Sequence, residues 1–265
     1  MLVDCLIIEH IQIAEAIFLM SLSAPDIASS AKAGQFIHVR CGKDFDPLLR
    51  RPFSLSSIDR ERGTISFIYE VRGRGTKLLS EFLPGQRVDI MGPLGNSFII
   101  ENLSSEDHAI LVGGGIGAPP MAALGQALSL QGVKKITVLL GAAKKEKLLP
   151  EKIFTNNGAR VFIATDDGSM GHKGFVTELL SEAAKGSGEK CAVFACGPKG
   201  MLKAVSEFCL ERNLPCQLSL EEIMACGVGA CQGCACKVKA DSGFDYVRVC
   251  REGPVFEAGE VVLDE

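Results

Sequence analysis

The residues best suited to chemistry are cysteines near the C-terminal end of the chain. Cys226, Cys231 and Cys234 follow the spacing C-x4-C-x2-C, and Cys250 lies further along. This spacing with a distant fourth cysteine is typical of ligands to a [2Fe–2S] cluster. Three thiolates must converge from one loop, and the three glycines between Cys226 and Cys234 let that loop curl with its amide groups toward the sulfurs. The pattern therefore predicts an iron–sulfur centre held by these four cysteines.

Two questions about this segment stay open. A structural zinc site usually has two C-x2-C knuckles, whereas this segment has one, beside a glycine-rich loop. Cys236 also competes with Cys234 for the third position, because C-x-C overlaps C-x2-C. We favour Cys234, which keeps the cluster spacing, and expect Cys236 to be a neighbouring packed thiol. Small buried hydrophobic roles are expected for Cys5, Cys41, Cys191, Cys209 and Cys216.

A glycine-rich turn lies where a strand-like run meets a helix-like run. It contains Gly113, Gly114, Gly115 and Gly117, and Pro119 follows at the start of the helix. Glycines let the backbone approach a pyrophosphate, whose charge a helix N-terminus favours. The spacing differs from G-x-G-x-x-G, so a tight turn without a ligand is the alternative.

Two later stretches favour the nucleotide interpretation. One is the polar loop Thr165–Gly174, and the other is Cys196-Gly197-Pro198 at a predicted strand end. Ligands of open parallel sheets bind at the carboxyl ends of the strands. In the first loop, Asp166 and Asp167 would repel a 2′-phosphate and could bind a ribose hydroxyl, which favours NAD over NADP. A solvated turn is the alternative for both aspartates.

The N-terminal half carries a second pair of candidate phosphate contacts. Arg51–Ser54 (RPFS) offers a forked guanidinium, an aromatic face and a hydroxyl. Further along, Gly75 and Thr76 lead into a helix-like run, where backbone amides suit a phosphate. Together they suggest a dinucleotide or flavin held at both places, whereas an isolated arginine at a strand edge is the simpler interpretation.

The elements that must position these residues differ between the two halves. Polar and apolar residues alternate at Gln35–Cys41, Thr64–Val71 and Arg87–Met91, which predicts short strands. A break is expected at Gly42–Pro47 and one helix at Thr76–Leu83. Many short strands at this spacing predict a small antiparallel barrel or sandwich.

After a polar stretch at Glu101–Asp107 the pattern becomes strand, turn and helix in alternation. That alternation predicts parallel strands with crossover helices. We expect strands at His108–Val112, Ile136–Leu140, Val161–Ala164 and Cys191–Ala195, helices at Pro119–Leu130, Phe175–Ala184 and Pro198–Leu210, and a surface loop at Lys185–Lys190. The predicted domains are a β-barrel at residues 1–102, a parallel α/β domain at 103–213 and a small cysteine-rich segment at 214–265.

Composition excludes several classes of protein. Of 265 residues 47% are hydrophobic, which is too many for a disordered chain. The net charge of −4 argues against non-specific binding to nucleic acid or anionic membranes. The start lacks the pattern of a signal peptide, and no apolar run reaches the length of a membrane span. Eleven cysteines without a secretory route indicate cytoplasmic thiols or metal ligands.

Together the motifs resemble those of the ferredoxin–NADP reductase superfamily. Arg51–Ser54 is similar to its R-x-[YF]-S flavin motif, Gly75–Thr76 to its pyrophosphate element, and Cys196–Met201 to its C-G-P-x-x-M signature. The cysteine motif followed by Gly253–Phe256 narrows the resemblance to the electron-transfer subunits of NAD-dependent dihydroorotate dehydrogenases, over essentially the whole chain. Phe53 stands where members often have tyrosine, which loses a hydroxyl and keeps the aromatic face.

The resemblance implies a role for each motif residue. Ser54 and Cys196 are expected closest to the reacting rings of flavin and nicotinamide. The implied FAD-binding residues are Arg51, Pro52, Phe53, Ser54, Ile68, Tyr69, Glu70, Gly75 and Thr76. The implied NAD-binding residues are Gly113, Gly114, Gly115, Gly117, Asp166, Gly197 and Pro198. The implied [2Fe–2S] ligands are Cys226, Cys231, Cys234 and Cys250.

The resemblance also implies a division of labour between two proteins. A flavin between a one-electron cluster and a two-electron nicotinamide can take electrons singly and give hydride. The four histidines are scattered, and no general base for an organic substrate stands out. We therefore expect dihydroorotate to be oxidised on a partner catalytic subunit that contains FMN, in a heterotetramer with two copies of each chain. Electrons would pass from FMN through the cluster and FAD to NAD, in pyrimidine biosynthesis.

Two rival functions remain at this point. The same cofactors would serve a reductase component of an oxygenase, or the reductase half of an NAD(P)H–ferredoxin or sulfur-metabolism complex. A zinc-bearing adaptor on a degenerate nucleotide fold would bind neither flavin nor an iron–sulfur cluster. A visible absorption spectrum distinguishes the adaptor from both the electron-transfer subunit and the rival reductase, since only these two would contain flavin and an iron–sulfur cluster.

Overall fold

The computed structural model describes residues 1–42, 46–155, 158–185 and 191–263. The loop predicted at Lys185–Lys190 lies outside these residues except for its first position. Residues 43–45 of the predicted break at Gly42–Pro47 also lie outside them.

The N-terminal part is a closed antiparallel barrel. Its strands are β1 (Leu2–Ala14), β2 (Ile17–Ser23), β3 (Phe36–Val39), β4 (Arg51–Asp59), β5 (Thr64–Glu70) and β6 (Arg87–Leu94), and two short helices, α1 (Pro25–Ser30) and α2 (Arg74–Ser80), lie between them. The strands close in the order β1-β2-β5-β4-β3-β6. In β3 the side chains of Ile37 and Val39 fill the barrel core, whereas Phe36 packs with the C-terminal part of the chain. The alternation of a strand thus lets one short element serve two cores.

The second part is a mainly parallel sheet covered by helices. Its first strands are β7 (His108–Gly114), β8 (Lys135–Ala142), β9 (Arg160–Thr165), β10 (His172–Lys173), β11 (Cys191–Cys196) and β12 (Cys216–Ser219), and the helices are α3 (Pro119–Gln131), α4 (Lys152–Thr155), α5 (Val176–Lys185) and α6 (Lys199–Glu211). Both β7 and β11 are buried along their whole length, which explains their nearly continuous apolar sequences. Helix α3 starts with two prolines and ends at Gly132, whose φ of 91° only glycine adopts easily.

The C-terminal part is attached to this sheet. It consists of an antiparallel hairpin, β13 (Ala235–Ala240) and β14 (Gly243–Arg248), and a final strand, β15 (Val255–Glu257). Strand β15 pairs antiparallel with β12, which completes a seven-stranded sheet in the order β10-β9-β8-β7-β11-β12-β15. The cysteine-rich loop runs between β12 and β13, so both of its ends are held by the sheet and the hairpin.

The predicted fold class is confirmed, and several elements differ from the predicted ones. The barrel part contains a second short helix, α1, besides the single one expected. The helix expected at Thr76–Leu83 instead spans Arg74–Ser80, because Thr76 Oγ1 accepts hydrogen bonds from the N–H groups of Arg72 and Gly73 and starts the helix earlier. The long strands β1 and β2 were not predicted. In β1 several apolar side chains are exposed, Ile8 and Ile11 among them, and this obscures the alternation. The domain bounds stay a prediction; β12, which follows residue 213, belongs to the parallel sheet.

Candidate functional site

A cleft of about 260 Å³ lies between the barrel and the C-terminal part of the chain. The barrel side is formed by β3, β4, β5 and the start of α2, and the other side by the segment after β12. The predicted FAD-binding residues in its lining are Pro52, Phe53, Ser54, Ile68, Tyr69, Glu70 and Thr76. The cleft therefore brings together two motifs that are separated in the sequence.

Arg51 and Gly75, the two predicted phosphate contacts outside this lining, lie against each other. A Cβ added to Gly75 would be 3.2 Å from Arg51 Nε, so a side chain there would displace the guanidinium. One guanidinium nitrogen of Arg51 donates to the carbonyl of Leu49 at 2.7 Å, which leaves other donors of the group available. The geometry holds a forked donor over the backbone at the start of α2.

Aromatic rings support the floor of this cleft. Phe53 stacks on Phe67 with centroids 5.0 Å apart, and Tyr69 packs at 5.5 Å from Phe53. The Tyr69 hydroxyl bonds to His10 Nε2 at 2.8 Å, and burial raises the pKa of this phenol. The Tyr69 side chain thus packs in the barrel core, while the residue also lines the cleft.

A second cleft, of about 750 Å³, lies at the carboxyl ends of the parallel strands. This is the edge of an open α/β sheet at which ligands bind. Its lining includes Gly114, Gly115, Asp166 and Pro198 from the predicted NAD-binding set.

The remaining glycines of that set serve close packing. A Cβ on Gly117 would lie 2.6 Å from the Cα of Gly197, and one on Gly113 would lie 2.8 Å from the Cβ of Ala118. These positions need glycine because backbones or side chains touch there. They shape the turn. Gly114 and Gly115 line the cleft, and Gly114 also packs closely, since a Cβ there would lie 2.7 Å from Met201 Sδ.

Cys196, expected near the nicotinamide, is fully buried and lines neither cleft. Burial strongly raises the pKa of its thiol, and the nearby Glu221 carboxyl adds to this effect. Glu221 lines the first cleft and is partly exposed to solvent. The protein around its carboxyl removes part of its hydration and raises its pKa, against an opposing effect of Arg72. Cys196 is therefore a protonated thiol beneath the site, and Glu221 is the group at its surface.

The two clefts share a wall formed by Glu70, Arg72 and Ile116. Arg72 Nε donates to Glu70 Oε2 at 2.5 Å, and Lys147 Nζ donates to Glu70 Oε1 at 2.7 Å. Burial alone would raise the pKa of Glu70, but these two hydrogen bonds outweigh it and lower the pKa below its ordinary value. A charged carboxylate thus stands at the junction of the clefts.

The cysteine-rich loop turns its amide groups toward sulfur atoms. Gly229 N–H lies 3.1 Å from Cys250 Sγ, and Ala230 N–H lies 3.3 Å from Cys226 Sγ. For Cys226, burial opposes ionisation, but donors from the loop outweigh it and lower the pKa of this thiol. Positive φ at Gly227 and Gly229 (70° and 80°) produces this curl. The loop therefore favours the thiolate of Cys226, the form that binds metal. At Cys250, burial and the neighbouring Cys234 thiol instead raise the pKa to about 12.

The four predicted ligands meet as two pairs of contacting thiols, Cys226 with Cys231 and Cys234 with Cys250. Within the residues that the structure describes, no group of three or more His, Cys, Asp and Glu side chains surrounds a single point as for one metal ion. Cys231 is exposed, whereas Cys234 and Cys250 are buried. Cys236 is half-buried at the start of β13 and lines a different hollow on the far side of Glu221.

Several lining residues were not identified from the sequence. Those that follow strands of the parallel sheet could have been found from the rule that ligands bind at the carboxyl ends of such strands; for the barrel residues, such as Phe36 at the start of β3, the sequence carried no such signal. In the first cleft they are Phe36, Arg72, Ile116, Pro119, Leu220, Glu221, Glu222, Met224 and Pro254. In the second they include Lys147, Phe175, Val176 and Met201.

Three family models match consecutive parts of the chain. An oxidoreductase FAD-binding domain matches residues 4–99, and an oxidoreductase NAD-binding domain matches residues 111–207. The iron–sulfur cluster binding domain of dihydroorotate dehydrogenase B matches residues 221–262. In the described residues, none of the helices is both long and apolar enough to cross a membrane.

Similar proteins cover almost the whole chain. The dihydroorotate dehydrogenase B (NAD(+)) electron transfer subunit of Geobacillus thermodenitrificans is 44% identical over 257 residues, 97% of each chain. That of Desulforamulus reducens is 42% identical over 262 residues, 98% of each chain. Among solved structures, an NADH-dependent reduced ferredoxin-NADP oxidoreductase described for flavin-based electron bifurcation is 30% identical, with a TM-score of 0.83 over 98% of this chain and 90% of that chain. The chain therefore belongs to the family of dihydroorotate dehydrogenase B electron-transfer subunits, oxidoreductases with FAD-, NAD- and iron–sulfur-binding domains.

Proposed function

We propose that the chain passes electrons between a [2Fe–2S] cluster held by Cys226, Cys231, Cys234 and Cys250, FAD in the first cleft, and NAD in the second. The observation that carries this proposal is the shared wall: the two clefts meet at Glu70, Arg72 and Ile116. When bound, the flavin supplies single-electron exchange with the cluster and hydride exchange with the nicotinamide. The protein's part is to hold the three groups next to one another.

The thiol pairing supports the cluster assignment. A [2Fe–2S] cluster has two iron ions, each of which takes two thiolates. The contacts of Cys226 with Cys231 and of Cys234 with Cys250 offer one pair for each ion. Amide donors around the sulfurs suit a negatively charged cluster. Cys236 stays a neighbouring thiol in this proposal, since it faces a different hollow.

For FAD, the residues of the first cleft suit a ring with one polar edge. Phe53 and Pro52 would pack against the flavin, with Ser54 offering a hydroxyl and the backbone of Ile68–Glu70 running along it. Arg51, held over Gly75, would bind the pyrophosphate, and Thr76 would order the backbone that faces it.

For NAD, Gly114, Gly115 and Pro198 would border the dinucleotide, and Asp166 would meet the ribose hydroxyls. Gly113, Gly117 and Gly197 would serve through the close packing of the turn, and Cys196 would support the site from beneath. A preference for NAD over NADP is part of the proposal, because Asp166 is an exposed carboxylate in the cleft lining.

The name of the relatives, an electron transfer subunit, implies a catalytic subunit beside it. We propose that this partner is an FMN-containing dihydroorotate dehydrogenase chain, that the assembly is a cytoplasmic heterotetramer with two copies of each chain, and that dihydroorotate is oxidised on the partner.

The rival function, a ferredoxin-linked reductase, has a specific observation behind it, namely the 30% identical oxidoreductase. The relatives named as dihydroorotate dehydrogenase B subunits are 42% and 44% identical over nearly the full length, which favours the first function.

One experiment tests the proposal. The chain, purified with FAD and reconstituted cluster, is assayed alone and after addition of an FMN-containing dihydroorotate dehydrogenase catalytic subunit. We expect NADH-dependent reduction of artificial acceptors by the chain alone, and dihydroorotate-dependent NAD reduction only with the partner. Turnover of dihydroorotate by the single chain would refute the division of labour, and efficient reduction of ferredoxin with no response to the partner would favour the rival.

A further inference from the structure

His38 occupies the boundary between the barrel and the cysteine-rich loop. It lies in β3, where it pairs with Pro52 of β4 and Met91 of β6. Its ring lies on the backbone of Gly227, the residue that follows Cys226. A Cβ added to Gly227 would be 2.7 Å from His38 Cε1 and 2.8 Å from Nδ1. The imidazole therefore occupies the space above the first part of the loop.

This imidazole is unusual in having no polar partner. His38 is 0% exposed, and neither ring nitrogen has a hydrogen-bond partner in the described part of the chain. An unsatisfied buried polar group costs about 1–3 kcal/mol, so such groups are rare in native proteins. In any protonation state the ring carries at least one N–H donor. The donor needs an acceptor that the described side chains and backbone do not supply.

The backbone N–H groups of this loop indicate which atoms would accept a hydrogen bond from His38. The N–H groups of Gly229 and Ala230 are directed at the sulfurs of Cys250 and Cys226. Those donors come from the loop itself, whereas His38 approaches from the barrel. The cluster's sulfurs are strong, negatively charged acceptors and would be enclosed by both sets of donors.

We propose that His38 donates a ring N–H to a sulfur of the [2Fe–2S] cluster, either a sulfide or the Cys226 thiolate, and so acts as a positioning residue that raises the cluster's reduction potential. The inference rests on the proposed cluster. A hydrogen bond to sulfur stabilises the reduced, more negative cluster, and such bonds are among the known determinants of cluster potential.

The neighbours of His38 connect this role to the flavin site. Phe36 contacts its ring edge-on, with centroids 5.8 Å apart, and both Phe36 and Pro52 line the first cleft. His38 in β3 thus contacts the loop, while its neighbours Phe36 in β3 and Pro52 in β4 border the proposed flavin. A change in the potential of the cluster would alter how it shares electrons with FAD, without any contact between His38 and the flavin.

The first test detects the contact between the histidine and the cluster directly. Protein labelled with 15N only at histidine, with FAD bound and the cluster reduced, is examined by pulsed electron paramagnetic resonance. We expect a 15N coupling to the cluster from one of the four histidines, and its loss in His38→Phe. An iron–sulfur signal without any 15N coupling would overturn the role of His38 alone. The absence of an iron–sulfur signal would overturn the proposed cluster as well.

A redox titration gives the second readout, which simple packing would not change. His38→Phe, which keeps a ring of similar size, should lower the cluster potential, and a tenfold change in the one-electron equilibrium with FAD corresponds to ~59 mV. His38→Gln, which keeps an N–H donor, should restore part of the shift. His108→Gln is the matched control, since that buried histidine bonds to Thr137 in the parallel sheet. Equal potentials in wild type and His38→Phe would refute the proposal.

Discussion

Lys147 Nζ lies 2.7 Å from Glu70 Oε1, and this ion pair joins the nucleotide-binding sheet to the barrel. Glu70 ends β5, and Lys147 lies in the loop between β8 and α4. Both residues line the second cleft, and Glu70 also lines the first. Lys147 therefore links the barrel to the parallel sheet and, from the lining of the second cleft, is positioned to contact an anionic ligand.

The first prediction concerns this lysine. Lys147→Ala should raise the dissociation constant of NADH by roughly 3–10-fold, because the cleft loses a cation near a pyrophosphate and partly exposed charges contribute on the order of 1 kcal/mol. Lys145→Ala, in the same short turn but outside the lining, is the control. Fluorescence titration measures both constants. An equal effect in the two variants would contradict a specific role for Lys147.

The second prediction tests the phosphate contact in the barrel. Arg51→Ala should weaken FAD binding by roughly 10–100-fold, since charged hydrogen bonds contribute about 1.5–3 kcal/mol. Flavin retained after dialysis measures the effect. Arg62→Ala, at a side chain that is 83% exposed, should leave it unchanged. Full FAD occupancy in Arg51→Ala would exclude its phosphate role.

The third prediction separates ligand from neighbour among the cysteines. Cys231→Ser should abolish the visible absorption of the cluster and leave most of the FAD, because Cys231 is exposed and its loss disturbs little packing. Cys236→Ser should retain the cluster. Iron content and absorption spectra of both variants decide the outcome. Loss of the cluster only in Cys236→Ser would reverse the ligand assignment.

The fourth prediction addresses the choice of nicotinamide. Asp166→Asn should increase the ratio of kcat/KM for NADPH to that for NADH by roughly tenfold, about 1.4 kcal/mol, since the carboxylate would no longer repel a 2′-phosphate. Asp167→Asn is the control, because that carboxylate bonds to Ser169 at 2.6 Å and does not line the cleft. A ratio unchanged by Asp166→Asn would remove this residue from the ribose site.

The fifth prediction is a pH dependence of stability. Burial, with a contribution from Lys135, lowers the pKa of His108 from 6.5 to about 4. As the pH falls between these values the unfolded chain binds a proton that the folded chain does not, so folding loses stability, by at most about 3 kcal/mol for the full shift. His108→Gln should reduce this loss, although His38 adds a loss of the same sign. Urea unfolding at pH 7 and pH 5 measures it, and parallel losses in variant and wild type would contradict it.

Local sequence patterns predicted most of the fold, because apolar runs and helix-ending residues follow directly from which side chains are buried and where helices stop. The continuous apolar runs of β7 and β11 indicate strands buried on both faces, and the double proline and Gly132 delimit α3. Strand β1 was not predicted because the barrel leaves several of its apolar side chains exposed, which removes the alternation of polar and apolar residues.

The sequence by itself determined which residues have the right chemistry: the C-x4-C-x2-C loop with its glycines, the RPFS motif and the glycine-rich turn. These are local, because a thiolate loop or a strand-to-helix turn is specified by neighbouring residues. Only the tertiary structure decided which of them meet. In the folded chain Cys196 is buried beneath the site, and Gly113 and Gly117 allow close packing of the turn. His38 of the barrel lies on Gly227 of the loop. Such contacts join residues far apart in the chain, and no local pattern encodes the distance between them.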